Sequence, residues 1–178
     1  MNRTIHANMP QTKFESLCSA YKTARDTYVS QRENGFLFAQ DLINRYIQYL
    51  GVPRACFRFV PTDQAVKAKS TKSILGAIHH NDDSYWHLGL QLTLFSAPKG
   101  YPEQPILVVF RYKQVTDQVF DVKISANDPG HRITREVDAD YLAFFEFLQR
   151  NIVHYFENGL QQFAGDIPNL KTVGLVHG

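Results

Sequence analysis

The chain has 178 residues, of which 44% are hydrophobic and 20% charged, and its formal net charge is +2. This is the composition of a globular protein with enough chain to bury a core unaided, and it lacks the strong basic excess of a committed nucleic-acid binder. No run of 18 apolar residues is present, so no membrane span is expected. The opening MNRTIHANMPQTK has no apolar core segment of a secretory signal, which makes the cytoplasm the expected location.

Length favours a single domain over residues 1–178, with residues 1–10 as a polar, flexible arm. From Thr12, residues Phe14, Leu17, Cys18, Tyr21, Ala24 and Tyr28 recur at steps of three and four and predict an amphipathic helix. Glu33-Asn34-Gly35 interrupts the pattern. Ala39, Leu42, Ile43, Tyr46, Ile47 and Leu50 resume it, and Gly51 and Pro53 end it. The first fifty residues therefore read as a helical pair or one kinked helix. Cys18 and Cys56 each have apolar neighbours and are expected to be buried free thiols.

Arg54–Val60 alternates and predicts a strand closed by Pro61. Residues 61–83 carry Lys67, Lys69 and Lys72, then the apolar run ILGAI, then His79-His80-Asn81-Asp82-Asp83. This is a long connection with an apolar anchor of its own. Residues 84–125 are the architectural centre, read as three consecutive antiparallel strands. Trp86, Leu88, Leu90, Leu92 and Leu94 alternate with His87, Gly89, Gln91 and Thr93, which implies one buried face and one polar or covered face. Ile106–Phe110 is apolar throughout, as in a central strand. Phe120, Val122 and Ile124 alternate with Asp121 and Lys123, and Asn127-Asp128-Pro129-Gly130 closes the unit.

A long helix follows from an expected N-cap at Asp138, with Tyr141, Phe144, Phe145, Leu148, Ile152, Tyr155 and Phe156 on its apolar face. Residues 165–178 read as a tail or a short edge strand. The whole is an α+β fold: an antiparallel sheet of about four strands, comprising the 84–125 meander and strand 54–60, packed with the N-terminal helical pair and the long C-terminal helix.

Three places carry chemically useful residues. Asp121 and Lys123 lie two apart on a strand and so point to one side, where a carboxylate can hold Mg²⁺ and an ammonium can stabilise a phosphoryl oxygen. Asp121-Val122-Lys123 on its apolar strand resembles the second half of the PD-(D/E)xK nuclease motif. That resemblance implies a further metal carboxylate, for which Asp117, Asp82 and Asp83 are the candidates; the proline–aspartate half of the motif has no counterpart before this strand. One of His79 and His80, with His87 and Asp82 or Asp83, offers a second metal-ligand set, against the plain reading of a polar turn that Asn81-Asp82-Asp83 already explains. Lys67, Lys69 and Lys72 with Arg54 and Arg58 form a candidate phosphate-contacting patch, against the plain reading of a solvated loop.

The leading expectation is a non-enzymatic binding or assembly module without a cofactor, acting through a protein partner or self-association. The aromatic load of 13 Phe and 9 Tyr, and helices with wide apolar faces, motivate it. The first alternative is a Mg²⁺-dependent nuclease or phosphoryl-transfer enzyme using Asp121 and Lys123. The second is a nucleic-acid-binding module without catalysis.

Overall fold

A computed structural model describes residues 12–62, 73–97, 100–162 and 171–173. Contacts divide the chain into two compact units, Met1–Glu33 and Asn34–Gly178. The expected arm at 1–10 and the lysines at 67, 69 and 72 lie outside the described residues.

The first helix, α1, runs unbroken over Lys13–Leu50. Thr12 and Glu15 start it as a reciprocal capping box. The Glu15 amide donates to Thr12 Oγ1 at 3.2 Å, and the Thr12 amide donates to Glu15 Oε2 at 2.7 Å. That backbone hydrogen bond from Thr12, followed by its hydroxyl, holds the Glu15 carboxyl below the usual range. At the other end Gly51 takes φ +60°, a left-handed stop that suits glycine.

The expected break at Glu33-Asn34-Gly35 does not occur, and the helical pair is one helix. Gly35 is buried, with Tyr112 and Trp86 beside the position its Cβ would take. Packing of Phe38, Ala39, Leu42, Ile43 and Tyr46 on the core outweighs the weak helix preference of Asn-Gly.

Within the larger unit the described residues form one seven-stranded sheet. Its strands are β1 (Phe57–Val60), β2 (Ile78–His80), β3 (Trp86–Phe95), β4 (Glu103–Gln114), β5 (Val119–Lys123), β6 (His131–Thr134) and β7 (Lys171–Val173). The meander β3–β4–β5 is present as read. The expected strand at 54–60 is shorter, because Arg54–Cys56 forms a turn of 3₁₀ helix after Pro53. ILGAI divides into a 3₁₀ turn at Ile74–Gly76 and the beginning of β2.

β1 and β2 both pair antiparallel with β3, β4 joins β3 to β5, and β6 pairs with β5. The residue run 171–173 was expected at an edge. It is a short edge strand, with one neighbour among the described residues, paired in parallel with Ile106–Val108 of the long strand β4.

The second helix, α2 (Asp138–Gln162), begins with two acidic residues that complement the partial positive charge at a helix N-terminus. The Asp138 carboxylate accepts from Arg45 Nη1 at 2.6 Å. The same guanidinium holds Asp41, which also accepts from the Tyr141 hydroxyl at 2.8 Å, so a polar clasp joins α2 to the segment Asn34–Leu50.

Both helical segments of this unit lie on the leucine face of the sheet. Phe38 stacks on Phe120 with ring centroids 3.9 Å apart, and Phe144 packs edge-on to Phe110 at 6.3 Å. Leu88, Leu90 and Leu92 are buried beneath them as predicted. The opposite face carries the polar residues.

Candidate functional site

Antiparallel partners share a face, so the strand register fixes which side chains meet opposite the helices. One row crosses four strands: His79, His87, Arg111 and Lys123. The next row holds Lys113, Asp121 and Arg132. Arg58 pairs with Gln91 further along β3, and its guanidinium donates to Gln91 Oε1 at 2.8 Å.

Asp121 is the hub of this face. It is only 8% exposed. The Tyr85 hydroxyl donates to Asp121 Oδ2 at 2.6 Å, and Arg132 Nε lies 3.7 Å from Oδ1. Burial, then the hydrogen bond to this carboxylate, push the Tyr85 phenol up to about 12. Two ammonium groups gather at the Tyr85 ring, with Lys113 Nζ 4.8 Å and Lys123 Nζ 5.5 Å from its centroid.

Gly130 closes this corner. The Asp128 carboxylate accepts the Ile124 and Gly130 amides and shapes the turn between β5 and β6. Gly130 has φ +93°, and a Cβ there would sit 2.6 Å from Asp121 Oδ1.

His87 is buried, and its Nε2 lies 2.9 Å from Asp83 Oδ2. Burial lowers the His87 pKa and outweighs the opposing pull of the carboxylate, so the imidazole is neutral near pH 7 and Nε2–H donates to Asp83. Burial raises the Asp83 pKa, but hydrogen bonds from the Tyr85 amide and His87, with the charge of Arg111, outweigh it and hold the carboxyl low. Arg111 Nε is buried without a hydrogen-bond partner among the described residues.

Asp121 and Lys123 therefore share a face, as their spacing predicts. The structure adds that Asp121 is already engaged by Tyr85 and Arg132. Asp117 sits in the exposed turn after β4, and Asp82 in the exposed turn before β3. Among the described residues, no three His, Cys, Asp or Glu side chains come together as a metal-binding group. Arg54 leaves the face expected for it, because the 3₁₀ turn breaks strand alternation. Its guanidinium instead lies 4.6 Å from the Phe57 ring centroid.

Tyr85, Arg111, Lys113 and Arg132 were not singled out from the sequence. The signal for Arg111 and Lys113 was alternation continuing past Phe110, hidden because the apolar run masks the length of β4. Arg132 depends on β6, a four-residue strand directly after Pro-Gly.

The smaller unit presents a different surface. Phe14 is 73% exposed and Tyr21 70%, with Leu17, Cys18 and Tyr28 exposed beside them. The expectation that Cys18 is buried is thus corrected: its helical face is apolar but exposed among the described residues. Positions 14, 17, 21, 24 and 28 follow a heptad spacing.

These features define an α+β protein with an antiparallel sheet covered by helices on one face, a basic polar opposite face, and an exposed apolar helical stripe. No helix among the described residues is long and apolar enough to cross a membrane. No protein-family model matches the chain, and no curated protein or solved structure is detectably similar to it.

Proposed function

We propose that the protein is an assembly module that self-associates through the N-terminal stretch of α1, pairing Phe14, Leu17, Cys18, Tyr21, Ala24 and Tyr28 with the same stripe of a second copy. The exposure of this stripe carries the reading. Scattered exposed apolar residues need no explanation, but a row at heptad spacing over four helical turns is the pattern that helices use to pair.

The stripe also complements itself. In an antiparallel pair with its two-fold axis at Tyr21, Phe14 faces Tyr28 and the small residues Cys18 and Ala24 face one another. Each large side chain taken out of water contributes about 1.5–3 kcal/mol before the cost of association. Sedimentation of the wild-type chain beside a Leu17→Glu, Tyr21→Glu variant tests this: a dimer that the variant abolishes is expected.

The alternative of metal-dependent phosphoryl transfer at Asp121 and Lys123 has less support. Two-metal and single-metal phosphoryl chemistry both use a carboxylate with free oxygens, whereas Asp121 is engaged by a tyrosine hydroxyl and an arginine.

A further inference from the structure

Among the described residues, the sheet face opposite α2 holds more positive charge than it neutralises. Arg111, Lys113, Lys123 and Arg132 occupy three adjacent strands in two neighbouring rows. Asp121 is the carboxylate in their midst; its Oδ2 accepts from Tyr85, and its Oδ1 lies 3.7 Å from Arg132 Nε, so one carboxylate serves four cations. Asp83, whose carboxyl feels the charge of Arg111, is bound to His87. Same-face residues two apart on a strand lie about 7 Å from one another, and directly paired residues on neighbouring strands about 5 Å. The four cationic stems thus rise from one small area.

Two observations distinguish this area from an ordinary solvated face. Lys113 and Lys123 converge on the Tyr85 ring, and the carboxylate beside them, Asp121 opposite Lys113, is shared with Tyr85 and Arg132. The Arg111 Nε donor is buried and has no acceptor among the described residues. Clustered lysine and arginine heads suit an oxyanion with several acceptor oxygens, and arginine with lysine is the donor set that phosphate groups select.

We infer that the Arg111, Lys113, Lys123 and Arg132 face is a binding site for phosphoryl oxyanions. It uses none of Lys67, Lys69, Lys72, Arg54 and Arg58, and the proposal does not rest on the assembly stripe. The phosphates come either from a free polyphosphorylated ligand or from the backbone of a single-stranded nucleic acid. Neutral His87 and Asp83 border the site at Arg111, and Tyr85 forms its floor beside Asp121.

The test is calorimetric titration of the full chain at low salt with pyrophosphate in one arm and a single-stranded oligothymidylate in the other. Saturable binding is expected in at least one arm. Lys113→Gln, Lys123→Gln should weaken it at least tenfold, and so should Arg132→Gln, whose side chain is exposed although it pairs with Asp121, with the fold of each variant checked by circular dichroism. A Lys13→Gln, Lys22→Gln control removes the same charge from α1 and should leave affinity and fold unchanged. Binding of pyrophosphate assigns a free ligand, and binding of the oligonucleotide alone assigns a polymer. Absence of binding in both arms, or equal weakening by the α1 control, overturns the inference. A monomeric wild-type chain that still binds would leave this site standing and remove the assembly reading, so the two fail separately.

Discussion

The Tyr85 hydroxyl donates to Asp121 Oδ2 across the single intervening strand β4 at 2.6 Å, and this bond fixes the least exposed carboxylate of the polar sheet face. Hydrogen bonds to charged groups contribute about 1.5–3 kcal/mol, and a buried acceptor deprived of its donor bears a desolvation cost. Tyr85→Phe keeps the ring and its two lysine contacts but removes the donor. We expect a loss of about 1–3 kcal/mol in urea unfolding with the slope unchanged. A loss below about 0.3 kcal/mol would show that water replaces the hydroxyl without cost.

Two glycines should respond in opposite directions. Gly35 lies inside a helix, and a Cβ there meets Tyr112 at 3.5 Å and Trp86 at 3.7 Å, ordinary van der Waals contact. Gly35→Ala should raise stability by about 0.5–1 kcal/mol through helix preference alone. A Cβ on Gly89 would instead fall on the Val60 carbonyl, where β1 and β3 approach closely. Gly89→Ala should cost about 2 kcal/mol or more. Paired thermal melts give both signs.

Much of this fold is legible in the sequence because its pattern is local. Strict alternation at Trp86–Leu94 specifies a strand with one core face, and Phe14–Tyr28 specifies an amphipathic helix. What is not legible depends on a distant partner or on a local turn that overrides strand alternation. Asn34-Gly35 reads as a break until Trp86 and Tyr112 are seen against it. Arg54 reads as a strand residue until Pro53 starts a 3₁₀ turn.

The sheet face is legible by half. Asp121 and Lys123 share a side by simple alternation, but Arg111, Lys113 and Arg132 join them only through register, which period two cannot supply. The heptad at 14–28 predicts an apolar face, but only the structure shows that face uncovered.

Acid should weaken the larger unit through His87. Burial lowers its folded pKa below the ordinary value, so the unfolded chain binds a proton more readily than the folded one. Stability is then fully present above the unfolded pKa of about 6.5 and falls as pH drops from there toward the folded value. Asp83 adds to the decline at lower pH, because its own lowered pKa gives stability that is lost as pH falls through the folded value. Urea midpoints at pH 7.5 and 5.5 should differ more for the wild type than for His87→Gln. Equal differences would remove His87 as the sensor.

Antiparallel pairing makes a cross-linking prediction. Cys18 of one copy would lie six helical positions from Cys18 of the other, about 9 Å along the axis and too far for a disulfide. Ala24→Cys places a thiol opposite Cys18 of the second copy. Mild oxidation should cross-link this variant and leave the wild type uncross-linked on denaturing gels. Efficient cross-linking of the wild type through Cys18 would indicate parallel pairing instead.

The central claim is that the uncovered stripe on α1 joins two copies of the chain. Sedimentation equilibrium at tens of micromolar measures this directly. The account predicts a dimer for the wild type and a folded monomer for Leu17→Glu, Tyr21→Glu, with the circular dichroism spectrum retained. A wild-type chain that sediments as a strict monomer at these concentrations would contradict it.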